Sequence, residues 1–247
     1  MTDIATSIPA RKADILSDLQ SRILRGEWAA GAQIPSEREL SVEYGVSRPV
    51  IREILAGLVE LGFIEIHPGR GSFVRAVQAD DLSGSLARAA TLTKITARDL
   101  VIARLGLECS AVELAAQQED RPVDHLRSLL HTHAEAGTVQ QMAETDLAFH
   151  EGVVAASGNR VLVLMFGAIR PQIHALMLRS HSDPSVQREG EPYHERIVEA
   201  IANSQPEVAR QQMREHLELA FTLYGDDLDR PISDVVIDRG LGFASSL

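Results

Sequence analysis

Arg48 and Arg52 are the residues of this 247-residue chain whose types and spacing most directly suggest chemistry. They lie four apart in Ser47-Arg48-Pro49-Val50-Ile51-Arg52-Glu53, so on a helix they project from one face. A guanidinium is a planar fork of donors that fits two acceptors at once, such as the O6 and N7 edge of guanine or two phosphate oxygens. Arg38 adds a third fork, and Arg70 a fourth, inside Gly69-Arg70-Gly71, where glycines permit close backbone approach to a ligand. Ser36 and Ser47 each precede a helical pattern, where a hydroxyl suits an orphan amide or a phosphate. Any single arginine of this kind reads best as a solvated surface charge. Four of them on two short helices and a loop tip favour a nucleic-acid surface.

The elements that must position these residues are legible around them. In residues 13–25, Ile15, Leu19 and Ile23 recur at helical spacing with Leu16 beside them, and Gly26 ends the pattern. After a break at Gly31 and Pro35, Ser36-Glu37-Arg38-Glu39 reads as a capping box, opening a short helix to Tyr44 with a turn at Gly45. Ser47 is expected to cap the next helix, with Pro49 in its first turn. That helix runs to about Leu61, with an apolar stripe of Ile51, Leu55 and Leu58. Two β-like runs, 63–66 and 72–75, flank His67-Pro68-Gly69-Arg70-Gly71, whose glycines and proline mark a hairpin. Helix, helix, turn, helix, hairpin is the order of a winged helix-turn-helix.

From Asp80 onward the pattern predicts helices and no strands, at about 82–92, 97–119, 122–136, 138–157, 159–181, 190–203 and 206–224. Leu100, Leu107 and Leu114 mark one long buried helix, and a tail after Gly225 is expected to fray. The predicted fold is mostly α: an N-terminal winged helix-turn-helix with a small β-hairpin wing (12–77), then an all-helical bundle of about seven helices (80–228).

Net charge is -11, yet residues 1–75 hold 9 Lys+Arg against 10 Asp+Glu, while the remainder holds 15 against 25. The acidity therefore lies away from the arginine surface, and local charge governs DNA binding more than the total. No apolar run approaches the ~20 residues of a membrane span, and the first residues lack a signal-peptide core. A single cysteine, Cys109, forms no internal disulfide and reads as a core residue, so a cytoplasmic location is expected.

The stretch Ile34-Pro35-Ser36-Glu37-Arg38-Glu39-Leu40, then Val46 through Glu53, Leu58 through Gly62, and Gly69-Arg70-Gly71-Ser72-Phe73-Val74 closely resembles the GntR family of bacterial transcription regulators. The resemblance implies DNA contact through Arg38, Arg48, Arg52 and the wing glycine, Gly69. Position 49, often threonine in the family, is proline here, so a hydroxyl contact is absent.

Residues 80–224 resemble the FCD effector domain of the FadR subfamily. Arg104 and Glu108 with Ala115-Ala116 carry this, as do Asp146-Leu147-Ala148-Phe149-His150, Ser157-Gly158-Asn159, His194 before Ile197, and Met213 before His216-Leu217. The helix at 82–92 implies the seven-helix form. The resemblance further implies that Asp146, His150, His194 and His216 hold a divalent metal, with zinc, nickel or manganese suited to three imidazoles and a carboxylate. Arg104 would then grip an effector carboxylate, with Asn159 as a weaker contact or helix cap. Read without the family, Arg104 equally suits an ion pair with Glu108, and His131, His133, His174 and His181 fall outside the pattern as surface or packing residues.

The function implied is a homodimeric regulator, not an enzyme. It would be a repressor of a catabolic operon that binds double-stranded operator DNA and responds to a sugar acid or dicarboxylate, with no membrane partner. Two rivals remain. A metal-dependent hydrolase would use the same Asp/His set, although no HExxH-type motif is present. A DNA-binding protein with a purely structural helical domain would show no small-molecule response.

Overall fold

The computed structural model describes residues 7–76, 89 and 92–241. The chain divides into two compact units, Met1–Val77 and Gln78–Leu247.

The first unit begins with α1 (Ser7–Leu24), which buries Ile15 and Leu19. α2 (Glu37–Tyr44) opens on the expected capping box: Glu39 N–H donates to Ser36 Oγ, and Glu39 accepts back from the Ser36 amide. It closes on Gly45 at φ 61°, a left-handed cap that glycine takes without a Cβ penalty. α3 (Arg48–Glu60) buries Ile51, Ile54, Leu55 and Leu58 against α1 and α2. Ser47 precedes α3 with extended backbone, but its side chain makes no cap hydrogen bond, contrary to expectation. β1 (Ile64–His67) and β2 (Gly71–Val74) pair antiparallel, with Ile64 opposite Val74. Residues 31–34, read from sequence only as a break, add an edge to this hairpin: Gly31 N–H donates to Val74 O (2.8 Å), Val74 N–H to Ala32 O (2.9 Å) and Ile34 N–H to Ser72 O (2.9 Å). The signal was faint because such an edge takes its order from long-range pairing and not from its own periodicity.

The described part of the second unit is helical: α4 (Ala97–Gln117), α5 (Val123–Ala134), α6 (Val139–Ala156), α7 (Arg160–Ala168), α8 (Arg170–His181), α9 (Pro184–Ala202), α10 (Pro206–Leu223), a 3-10 turn (Gly225–Asp229) and α11 (Ile232–Asp238). The helix expected at 82–92 falls, apart from residues 89 and 92, outside the described residues. α4 is central and packs on α6, α9 and α10. Two apolar clusters make the core, one around Phe166, Ile173 and Leu176, the other around Phe149, Ile197 and Met213.

Three sequence expectations are corrected. The span 159–181 is two helices bent by 65°, broken at Ile169 (φ -100°, ψ 7°), because Pro171 has no amide to continue the ladder. α9 starts at Pro184, earlier than expected, because Asp183 caps it by accepting from Ser185 N–H; the interior Pro192 is tolerated. Among the described residues, the chain from Gly225 to Leu241 does not fray. Leu228, Ile232, Val235 and Val236 are buried in the core, and Ile232 N–H donates to Ile95 O at 3.0 Å, pinning the tail to the start of α4. On α4 itself Leu100 is buried, while Leu107 and Leu114 are only half-buried, because a seven-residue step drifts around a 3.6-residue helix. Among the described residues, no single helix is long and apolar enough to cross a membrane.

Candidate metal centre and nucleic-acid interface

On the first unit, Arg48 and Arg52 stand on one exposed face of α3, with side chains 60% and 67% exposed. Arg38 is exposed on α2. Glu37, the first residue of α2, accepts from Arg52 Nε (3.0 Å) and Nη2 (2.9 Å), and from Arg48 Nη2 at 3.5 Å. These hydrogen bonds hold the Glu37 carboxyl below the usual carboxylate range. The Ser36 hydroxyl is engaged in its capping box, donating to Glu39 Oε2 at 2.7 Å, whereas the Ser47 hydroxyl is not used as a cap.

The wing tip is set by backbone chemistry. Gly69 has φ +75° and Gly71 φ +111°, both in the region that favours glycine. A Cβ on Gly71 would also lie 2.5 Å from Gln33 Nε2, whose amide donates to Arg70 O at 2.9 Å. Arg70 is thereby exposed at the tip, its guanidinium carbon 5.8 Å from the Phe73 ring centroid.

In the second unit, α6 carries Asp146 and His150 one turn apart, α9 carries His194 and α10 carries His216. The bundle brings all four together. His194 Nε2 lies 3.2 Å from His216 Nε2, and His216 Nε2 lies 3.3 Å from His150 Nε2. Asp146 Oδ1 is 3.3 Å from His194 Nε2 and 3.5 Å from His150 Nε2. Oδ1 is buried and without a hydrogen-bond partner. Three converging imidazole nitrogens, with the orphaned Asp146 oxygen beside two of them, are a donor set that could hold a divalent metal. Burial, with the neighbouring His150, outweighs the attraction of Asp146 and lowers the His194 pKa to about 3; burial also drives His216 well down. Both are therefore neutral near pH 7, the form that ligates. For Asp146, burial favours the neutral acid, but the neighbouring imidazoles of His150 and His181 prevail and hold its pKa well below the ordinary carboxylate value.

Behind the cluster lies a buried pair. Arg104 and Glu108 on α4 are bonded through Nε–H to Oε1, and Glu108 Oε2 also accepts from His150 Nδ1. Burial opposes ionisation of Glu108, yet the charges of Arg104 and His150 overcome it and keep its pKa at about 2. With Nδ1 donating to Glu108, His150 presents Nε2 to the cluster.

The adjoining cavity, about 50 Å³, is lined by Arg104, Asp146, His181, His194, His216 and Tyr224 among others. Arg104 lines the cavity, with the side edge of its guanidinium bonded to Glu108. Asn159 does not line it. Its Oδ1 accepts from Val161 and Leu162 amides, which makes it the N-cap of α7.

Sequence reasoning missed His181, which is buried with Nε2 3.0 Å from Asp146 Oδ2. Nothing in its own helix distinguishes it, since its partner lies 35 residues away. Tyr224, the last residue of the helix expected at 206–224, was likewise not singled out, yet it is buried with its hydroxyl on Ser180. His174 is not part of the cavity lining, while His133 is.

A two-helix reading unit with a wing, followed by a helical unit enclosing an Asp/His cluster, defines a DNA-binding regulator with a separate sensing domain. The profile described as "Bacterial regulatory proteins, gntR family" matches residues 11–74, and that of the FCD domain matches 99–219. The HTH-type transcriptional repressor NanR of Enterobacter sp. (strain 638) is 30% identical over 214 residues, covering 81% of this chain and 80% of that protein. NanR of Escherichia coli (strain K12) is 29% identical over 219 residues, covering 81% and 79%. Among solved structures, Streptococcus agalactiae GntR superposes with a TM-score of 0.66 at 25% identity, covering 83% of this chain and 96% of that one. The chain belongs to the gntR family of bacterial regulatory proteins, in its FadR-type architecture with a C-terminal FCD domain. It is a DNA-binding transcription regulator and not an enzyme.

Proposed function

We propose that this regulator is a cytoplasmic repressor that binds operator DNA as a homodimer and is controlled by a small organic acid, a sugar acid or dicarboxylate, at a metal site in its helical unit. The regions are 12–77 for DNA binding and 80–228 for effector binding and dimerisation. The repressor assignment rests on the NanR relatives, which are named as repressors.

The N-terminal end of α3 enters the major groove in this fold type. Arg48 and Arg52 read base edges there. Arg38 contacts base or backbone, Ser36 and Ser47 approach phosphates, and Gly69 and Arg70 take the wing into the minor groove. A second copy supplies the second half-site. An exposed apolar strip supports this: Ile102 and Met165 are 56% and 51% exposed, and they flank a notch where Gly106 has open space in place of a side chain.

The observation that carries the sensing half is the orphaned, buried Asp146 Oδ1 beside the Nε2 atoms of His194 and His150, in a cluster whose third imidazole is His216. Asp146, His150, His194 and His216 would hold the metal, and His181 steadies the second oxygen of Asp146. A divalent ion there supplies positive charge that attracts an effector carboxylate. The cavity, about 50 Å³, takes little more than a water or two beside an ion, so an organic acid must push back lining residues such as Val186 and Gly190 of α9. Effector binding therefore displaces a helix, the kind of differential contact that coupling to DNA requires.

Elemental analysis of the purified protein tests this. Near-stoichiometric zinc, nickel or manganese is expected in the wild type, and none in an Asp146→Ala/His150→Ala variant of similar helicity. Equal, trace metal in both would remove the metal from the proposal and leave the DNA-binding function standing.

A further inference from the structure

Glu37 presents a negative charge on the face that meets DNA, where phosphates repel it. A carboxylate placed there works against affinity. Its geometry is nonetheless well formed. It takes the side edge of the Arg52 guanidinium through two near-parallel bonds, Nε to Oε1 at 3.0 Å and Nη2 to Oε2 at 2.9 Å, and Oε2 also meets Arg48 Nη2 at 3.5 Å. A guanidinium has five N–H donors. With Nε–H and one Nη2–H engaged, one Nη1–H and the other Nη2–H still form the end-on edge, a fork able to span two acceptors. The exposed ion pair by itself adds little stability, so its value must lie elsewhere.

We propose that Glu37 is a positioning residue for base recognition: by gripping the side edge of Arg52 it fixes the guanidinium plane and leaves the end-on fork aimed at a guanine, sacrificing affinity for discrimination. This rests on the reading of α3 as the groove-entering helix. Without Glu37, a long flexible arginine in the field of the phosphates swings to the backbone, where it binds any sequence equally. α2 supplies the clamp and α3 the reader, so the helix pair acts as one recognition unit, with Arg48 resting on the same carboxylate oxygen.

The test uses the full-length chain and a randomised duplex library, comparing wild type, Glu37→Gln, Glu37→Asp and Arg52→Ala for preference at each base position and for affinity to unselected random duplex. Thermal melting checks that all four fold alike. Arg52→Ala is expected to lose about 5- to 150-fold discrimination at one position per half-site. Glu37→Gln is expected to relax that same position by about 3- to 30-fold, the upper bound being the whole rotamer freedom of an arginine. Its affinity for random duplex should stay level or rise, and Glu37→Asp should restore part of the preference. Unchanged preference in Glu37→Gln, a loss at a different position, or a sharper preference with tighter binding would each overturn the clamp while leaving Arg52 as the reader. If Arg52→Ala changes no position, the reading of α3 falls, and this inference with it.

Discussion

Arg104, Glu108 and His150 form a chain of charge inside the helical unit, with Glu108 fully buried and Arg104 6% exposed. Neither charge would survive there alone, because an unpaired ion loses its hydration with no return. Their mutual bonds, and the His150 Nδ1–H that Glu108 also accepts, satisfy both. Removing one partner of such a pair costs far more than removing both. Glu108→Gln should therefore destabilise the helical unit by about 3 to 5 kcal/mol in urea melts, while Arg104→Met/Glu108→Leu recovers most of the loss. A single-variant cost below about 1 kcal/mol would mean that the pair is solvated. The same bonds decide what Arg104 can offer a ligand. Its Nε and Nη2 serve Glu108, so an effector carboxylate would meet the end-on edge of the guanidinium, Nη1 with Nη2.

Among the elements, the segment after α10 changes the reading of the domain most. Asp227 is its hinge pin, accepting from Arg179 Nε (3.2 Å), Arg239 Nε (2.9 Å) and Arg230 Nη1 (3.3 Å). Arg179 is itself buried and stands 4.2 Å from the Tyr224 ring centroid, so the ion cluster is continuous with the cavity wall. Leu228, 4% exposed, drives the apolar side of this anchor. Leu228→Ala should cost about 2 to 5 kcal/mol by calorimetry, as for other buried leucines. A frayed tail would give a change within about 0.5 kcal/mol. The break between α7 and α8 acts at the same scale: by turning the chain at Ile169 it sends α8 across the bundle, so that His181 at its end reaches Asp146.

At the scale of the whole molecule, the acidic helical unit and the near-neutral reading unit pull in opposite directions on DNA. Repulsion between the acidic part and phosphates would leave a single reading head weak, and in the proposed homodimer two heads on one assembly would compensate. The strip around Ile102, Gly106 and Met165 is the surface expected to pair them. Met165→Glu should convert a dimer to a monomer in sedimentation velocity and weaken operator binding, with the fold intact by circular dichroism. A dimer that persists unchanged would place the interface elsewhere.

Local chemistry determined most of the first unit. The Ser36/Glu39 capping box, the Gly45 turn, the apolar stripe of α3 and the glycines of the wing are each decided within a few residues. They could therefore be read in order along the chain, and the spacing of Arg48 and Arg52 alone put them on one face. In the second unit the sequence gives helices at their periods, but α6, α8, α9 and α10 each contribute one or two polar residues to the cavity, and no period links residues so far apart. The family resemblance named four of the converging side chains; the residues alone could not choose them among nine histidines. Only packing placed His181 on Asp146, joined Glu108 to His150, kept Asn159 away from the cavity, and drew Tyr224 and Leu228 into the core. The His181–Asp146 and His150–Glu108 contacts span 35 and 42 residues. Burial decides them, and burial is a property of the assembled bundle and not of any one segment.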